Sequence, residues 1–177
     1  MEFFQPRIIY LGFEFDHMGY RPKPEVMPKI RDYPAPVDKK GIQKFLGIIN
    51  FYRDHIPGVA EVGHPIYELL RKYHRFKWEP EHQEAFESLK KLVAANITLS
   101  PIQQDLPFEL YTDASNNAIG AALLQGGKVV NFFSRHLQPT QQRYSTTMRE
   151  SYAMVESILN YMVYFLLIIN PLWNGSS

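Results

Sequence analysis

Phe108-Glu-Leu-Tyr-Thr-Asp113-Ala-Ser115 reads as a strand that ends on a carboxylate. Phe108, Leu110 and Thr112 fall on one face of the pleat, and Glu109, Tyr111 and Asp113 on the other. An acid at the end of a half-buried strand is costly to take out of water, and a bound cation is one reason to tolerate it. Downstream, Ile119-Gly-Ala-Ala-Leu-Leu-Gln125 and Lys128-Val-Val-Asn-Phe-Phe-Ser134 read as two more strands joined by a tight hairpin at Gly126-Gly127. Tyr144-Ser-Thr-Thr-Met-Arg-Glu150 then opens an apolar helix.

Upstream the pattern changes. Residues 8–15 read as a strand, Asp16-His-Met-Gly19 as a turn, and Tyr20-Arg21 as the start of a return strand. Pro22, Pro24, Pro28, Pro34 and Pro36 forbid long regular structure before Val37. Asp38 is placed to cap a helix with Ile42, Phe45, Leu46 and Ile49 on its apolar stripe. A second helix is expected from Pro65 through Ile66, Leu69, Leu70 and Tyr73. A third starts near Pro80 and turns Ala85, Phe86, Leu89, Leu92 and Val93 inward. Three short amphipathic helices suggest a small bundle. The expected class is therefore α+β: a short β-hairpin, a helical bundle, then three antiparallel strands and one helix.

The 177 residues suffice for a real core, and 45% hydrophobic with 21% charged residues describes a globular chain. A net charge of +1 gives no global pull toward nucleic acid, so such binding must rest on a local patch. The absence of cysteine excludes disulfides and thiolate metal sites and suits a reducing, intracellular setting. Met1-Glu-Phe-Phe-Gln-Pro6 lacks the pattern of a signal peptide. Residues 157–173 carry no charge, but Asn160, Asn170 and Pro171 interrupt the run, so no membrane span is expected. That apolar tail is expected to fold over the sheet or to drive self-association.

The motifs Thr112-Asp-Ala-Ser115, Ser134-Arg-His-Leu137 and Tyr144-Ser-Thr-Thr147 with Glu150 resemble the first half of a ribonuclease H domain of gypsy-type LTR-retrotransposon Pol polyproteins. Tyr10-Leu-Gly-Phe13, Gly19-Tyr-Arg-Pro-Lys-Pro24, Phe45-Leu-Gly47 and Asn50-Phe-Tyr-Arg53 are similar to the family's end-of-palm hairpin and its thumb and connection region. Phe76-Lys-Trp78, Ala85-Phe86 and Leu89-Lys90 are similar to the link into its ribonuclease H domain. The resemblance implies four units: residues 1–23 as the end of the palm, 24–96 as thumb and connection, 106–170 as a partial ribonuclease H-like domain, and 171–177 as a tail.

It also implies chemistry. Ribonuclease H hydrolyses phosphodiesters with two divalent metals, Mg2+ being the natural ion, held by hard carboxylate oxygens. Of the family's four acidic positions, Asp113 matches the first and Glu150 the second; after Tyr164 the chain departs from the pattern, and the last two are not found. The expectation is weak metal binding at Asp113 and Glu150 without efficient cleavage, Glu156 or Asp105 being the substitute ligands that activity would require. The palm's paired aspartates are absent too, which excludes polymerisation by these residues alone. By the same resemblance Lys39, Lys40, Lys44 and Arg53 are candidates for phosphate contacts with an RNA–DNA hybrid or duplex. Phe51, Tyr52 and Trp78, at helical spacing, are expected in the core. The six histidines show no metal-site spacing, and His136 is expected to pack beside the third strand. Three functions fit: a degenerate copy, a co-opted nucleic-acid-binding module, or a piece of a longer Pol polyprotein.

Overall fold

A computed structural model describes residues 6–72 and 74–169, with side chains through Leu166. The readings that fall on Met1–Gln5, on Tyr73 and on the tail from Asn170 lie outside the described residues.

The N-terminal segment is more finely divided than the sequence pattern suggests. Strands β1 (Ile8–Tyr10), β2 (Phe13–Asp16) and β3 (Gly19–Pro22) form an antiparallel meander in place of a two-stranded hairpin. Leu11 and Gly12 both take positive φ, +47° and +85°, so the expected single strand folds back on itself after Tyr10. Two consecutive residues of that conformation make the tight turn whose twist matches a hairpin. Leu11 hides the signal, because bulky residues rarely adopt it. The meander's one buried acid, Glu14, accepts from both Arg7 and Arg21, which offsets its desolvation. At Gly19 the φ is +142°, and a Cβ would stand 1.9 Å from the carbonyl oxygen of Leu99. That close approach lets Tyr20 exchange two backbone hydrogen bonds with Leu99, at 2.9 and 2.8 Å, tying the meander to the linker.

Five helices follow: α1 (Val26–Arg31), α2 (Lys39–Phe51), α3 (Val59–Val62), α4 (His64–Glu68) and α5 (Pro80–Ala94). Asp38 caps α2 through a 2.6 Å bond from the Gly41 amide. The helix expected to run from Pro65 to Tyr73 stops at Glu68, and Leu69 and Leu70 pack from the turn beyond it. Ile42, Phe45, Ile49, Ile66, Phe86 and Leu89 form the centre of one core, each at most 1% exposed. Phe13, from the meander, packs against its edge.

The second sheet is the expected one. β4 (Phe108–Ala114), β5 (Ala118–Gln125) and β6 (Lys128–His136) pair antiparallel in that order, with a bulge at Leu123/Leu124. Gly126 and Gly127, at φ +54° and +73°, make the two-residue turn. α6 (Thr146–Ile169) covers one face through Ala153 and Tyr161 against Ile119, Leu123 and Val130. The opposite face meets the helical bundle, where the Ala60 amide donates to Ser134 Oγ at 2.7 Å and Arg53 donates to the Ser134 carbonyl. No helix among the described residues is long and apolar enough to cross a membrane.

Tyr161 is fully buried between α6 and the sheet, and its hydroxyl donates to the carbonyl of Asn131 at 3.3 Å. Burial holds its phenol well above the usual range. Tyr161→Ala is expected to cost about 3–5 kcal/mol, as for other large aromatic truncations. Tyr161→Phe should cost only about 1 kcal/mol, since it removes a single hydrogen bond. Urea unfolding of the two variants measures the difference.

Candidate functional site

Antiparallel pairing fixes which way Asp113 faces. It pairs with Gly120, and the neighbouring pairs Thr112–Ala121 and Leu110–Leu123 belong to the face that α6 covers. Asp113 therefore shares the other face with Tyr111, Ala122 and Phe132. There it lines a cleft of about 270 Å³ with Pro57 and Gly58 of the bundle as its far wall. The carboxylate is exposed, and its Oδ1 accepts from the Ala114 amide at 2.9 Å. The desolvation cost anticipated from the sequence is thus absent, because the end of β4 opens to water.

Glu150 sits in the second turn of α6 and is also exposed. Its neighbour Arg149 reaches back to the β4–β5 turn and donates to Asn116 Oδ1. That link brings the start of α6 and the end of β4 to one pole of the sheet, although Asp113 and α6 belong to opposite faces. Glu150 does not line the Asp113 cleft. Glu156, a substitute ligand weighed from the sequence, is held by Arg135 instead. Asp105 is an exposed linker residue.

Among the described residues the carboxylate and imidazole groups close enough to form a three-ligand cluster lie elsewhere. Glu79, Glu81 and His82 have ligand atoms within 4.8 Å of one another. Their arrangement is a helix cap. Glu79 accepts from the His82 amide, and His82 Nδ1 accepts from the Glu79 amide at 3.0 Å. With Nδ1 accepting, neutral His82 carries its proton on Nε2 and has no lone pair there for a metal. Glu79 is further engaged by Lys77, whose ammonium holds the carboxylate below its ordinary range.

The four basic candidates separate into two pairs. Lys40 and Lys44 are exposed on α2. Lys39 Nζ donates to the Arg71 carbonyl at 2.8 Å, and Arg53 turns to the Ser134 carbonyl. Along the exposed side of α2, Lys40 and Lys44 are followed by Gly47 and Phe51, at spacings of four, three and four residues. These four form one stripe opposite the buried Ile42, Phe45, Leu46 and Ile49. Phe51, expected in the core, is 55% exposed and stacks on Phe13 at 5.4 Å. Tyr52 is buried as expected, 5% exposed, and Trp78 is partly buried against the bundle. A Cβ on Gly47 would meet nothing within 4 Å. Neither packing nor backbone conformation asks for glycine there, yet mid-helix glycine costs about 1 kcal/mol relative to alanine. The apolar character of Phe51 and the flanking Phe45-Leu46 concealed this stripe in the sequence. Lys40 and Lys44 were legible as basic candidates, and the unexplained glycine was the further signal that joins them to Phe51.

Comparison with known proteins closes the question of family. Residues 78–169 match the model of the RNase H-like domain found in reverse transcriptase. The chain belongs to that family. The Tf2-3 and Tf2-4 transposon polyproteins of Schizosaccharomyces pombe (strain 972 / ATCC 24843) are each 29% identical to it over 175 residues. The chain is matched over 96% of its length but spans only 13% of those polyproteins. Foamy viral protease-reverse transcriptase shares the fold at 21% identity. Its complex with dsDNA matches 90% of this chain and 34% of its own with a TM-score of 0.78; its complex with RNA/DNA hybrid matches 89% and 22%, also at 0.78. The family match includes the second sheet and α6, and the fold match reaches back over the bundle.

Two histidines of this RNase H-like chain are held neutral. His55, 3% exposed, donates from Nδ1 to the Ile97 carbonyl and lies between Phe13 and Tyr20. Burial depresses its pKa, against the opposing hydrogen bond. His136 is pushed down to about 4, by burial first and then by His64, Arg53 and Arg71. In the unfolded chain both titrate near 6.5. Below that pH the unfolded state binds protons that the folded state refuses, so stability is complete above about 6.5 and falls as pH drops toward 4. Urea midpoints at pH 7 and pH 5 should show this loss, and His136→Gln should reduce it.

Proposed function

We propose that this chain is a piece of a retrotransposon Pol polyprotein that holds nucleic-acid duplex, of RNA–DNA hybrid or DNA, against the exposed side of α2. Residues 1–23 act as the end of the palm, 24–96 as thumb and connection, and 106–170 as the RNase H-like part. The observation that carries the reading is the stripe Lys40, Lys44, Gly47 and Phe51. Two free ammonium groups suit backbone phosphates, and an exposed ring suits a sugar or base face. A bare helix backbone at Gly47 permits a close approach that a side chain would obstruct. The turn at Leu11-Gly12 packs beside Phe51 and extends the same surface. That solved neighbours of this fold are complexes with dsDNA and with RNA/DNA hybrid supports the reading. Its being a part of a longer protein is supported by the 13% of the polyproteins that it spans. Self-association through the apolar outer side of α6 remains a secondary proposal, for which Leu159 and Leu166, both over half exposed, are the support.

For the metal, the donor chemistry fits one hard cation. Asp113 and Glu150 offer exposed carboxylate oxygens at one pole of the sheet, and a largely hydrated Mg2+ accepts one or two carboxylates. When bound, such an ion supplies charge for phosphate oxygens. The residues themselves do less: Asp113, fixed through Oδ1 by the Ala114 amide, lines the cleft, and Arg149 holds the β4–β5 turn to α6.

Two experiments test the reading. Binding of a short duplex should weaken steeply with salt, and replacing Lys40 and Lys44 together by Gln should reduce the log–log slope by about 2. Gly47→Ala should raise the unfolding free energy by about 0.5–1 kcal/mol while weakening duplex binding, a combination that a purely structural glycine does not give. Salt-indifferent affinity sinks the proposal. For the cation, Mn2+ should broaden resonances near Asp113 and Glu150 alike, and either Asp113→Asn or Glu150→Gln should abolish the whole set; loss of only half shows that the two do not share an ion.

A further inference from the structure

The cleft where the bundle meets β6 has a charge pattern that the duplex-facing stripe does not explain. It is about 310 Å³ in volume and is lined by Asn50, Arg53, Val59, Ala60, Tyr67, Ser134, Arg135, His136 and Gln138, with no carboxylate among them. A neighbouring cavity of about 300 Å³ shares Tyr67, His136 and Gln138 and adds His64 and Arg71. Basic side chains therefore converge on this junction from three places: Arg53 after α2, Arg71 with the His64 imidazole in and after α4, and Arg135 with the His136 imidazole on β6.

His136 stands at the centre. Its ring lies edge-on to Tyr67, centroids 4.2 Å apart, and 5.9 Å from the ring of His64. Its Nε2 is buried and finds no hydrogen-bond partner among the described residues. Such orphaned atoms are uncommon in folded proteins and call for an unseen partner. The charges around it are unbalanced. Glu68 is the acid on this side, and it is already taken by Arg71 at 2.7 Å and approached by His64 at 4.0 Å. Arg135 is paired with Glu156, whereas Arg53 lines the cleft with a single side-chain hydrogen bond among the described residues, to the Ser134 carbonyl, and no carboxylate partner.

We propose that this cleft is a phosphate-binding site, with Arg53 and His136 as its principal donors and Asn50 and Gln138 as polar rim. The shared chemistry is a tetrahedral oxyanion, either free, as inorganic phosphate or the terminal phosphate of a nucleotide, or one backbone phosphate of a nucleic acid passing over the junction. An arginine fork and an imidazolium are suited donors for such oxygens. Binding supplies the missing partner of His136 and balances the Arg53 charge, for which no carboxylate lines the cleft. The site does not rest on the α2 stripe, which uses other residues.

The linkage is directly measurable. A bound dianion favours protonated His136, so its titration midpoint should rise by about one to two pH units on saturation. The experiment follows the His136 ring resonances of the whole chain against pH, alone and with inorganic phosphate, a nucleoside monophosphate, or a short DNA duplex. A rise with the two small anions assigns a free-phosphate site. A rise with duplex alone assigns a backbone contact. Arg53→Gln should weaken the effective anion at least about tenfold, the loss of one charge-assisted hydrogen bond. Because Arg53 also braces Ser134, His136→Gln is the second variant; it keeps a neutral polar side chain and should weaken binding with an unchanged unfolding midpoint at pH 7. A His136 midpoint unmoved by all three probes overturns the proposal, as does undiminished binding in both variants. The α2 variants Lys40→Gln and Lys44→Gln should leave the small-anion response unchanged, so failure of one surface is distinguishable from failure of the other.

Discussion

Ser134 is the point through which the two halves of the molecule hold each other. Its carbonyl accepts from Arg53 and its hydroxyl accepts from the Ala60 amide, so one residue of β6 satisfies donors from two successive pieces of the bundle. Both bonds lie at a partly buried junction, where an unpaired amide is expensive. The consequence is architectural. With the bundle locked onto one face of β4–β5–β6 and α6 on the other, the small sheet is covered twice, and Pro57 and Gly58 become a wall of the cleft that holds Asp113. Ser115 adds a second tie by donating to Glu61.

This arrangement also explains why Asp113 and Glu150 are read so differently in sequence and in space. In sequence they are successive marks of one motif. In the sheet, the odd–even rule sends Asp113 to the face of the bundle, while α6 lies on the opposite one. The Arg149–Asn116 contact ties the first turns of α6 to the β4–β5 turn, while Glu150 itself stays outside the Asp113 cleft. A linear motif shows which residues recur together but not which face of the sheet each one takes.

Much of the fold was legible. The Asp38 cap, the apolar stripe of α2, the helix from Pro80 and the Gly126-Gly127 turn all follow from local chemistry that acts within a few residues. What escaped depended on partners distant in the chain. Leu11 adopts a left-handed conformation that its side chain disfavours, and the reason lies in the pairing of β1 with β2. Arg53 and Lys39 looked like free cations because their acceptors, Ser134 and the Arg71 carbonyl, are 81 and 32 residues away. Phe51 looked like core because periodicity cannot show that the end of a helix protrudes. The cap made by Glu79 and His82 was missed because it puts a carboxylate where a hydroxyl is usual and an imidazole where Glu or Gln is usual.

α6 is apolar on both sides. Tyr161 and Ala153 face the sheet, while Met148, Val155, Leu159, Met162 and Leu166 form an outward row, each roughly half exposed. Contacts made by such a row respond to the solvent in the opposite sense from contacts made by the lysines of α2. Sulfate and other strongly hydrated salts strengthen apolar association, whereas any added electrolyte weakens a phosphate grip through counterion release. The two proposed contacts would consequently be orthogonal in their Hofmeister behaviour, and a choice of anion would silence one while reinforcing the other.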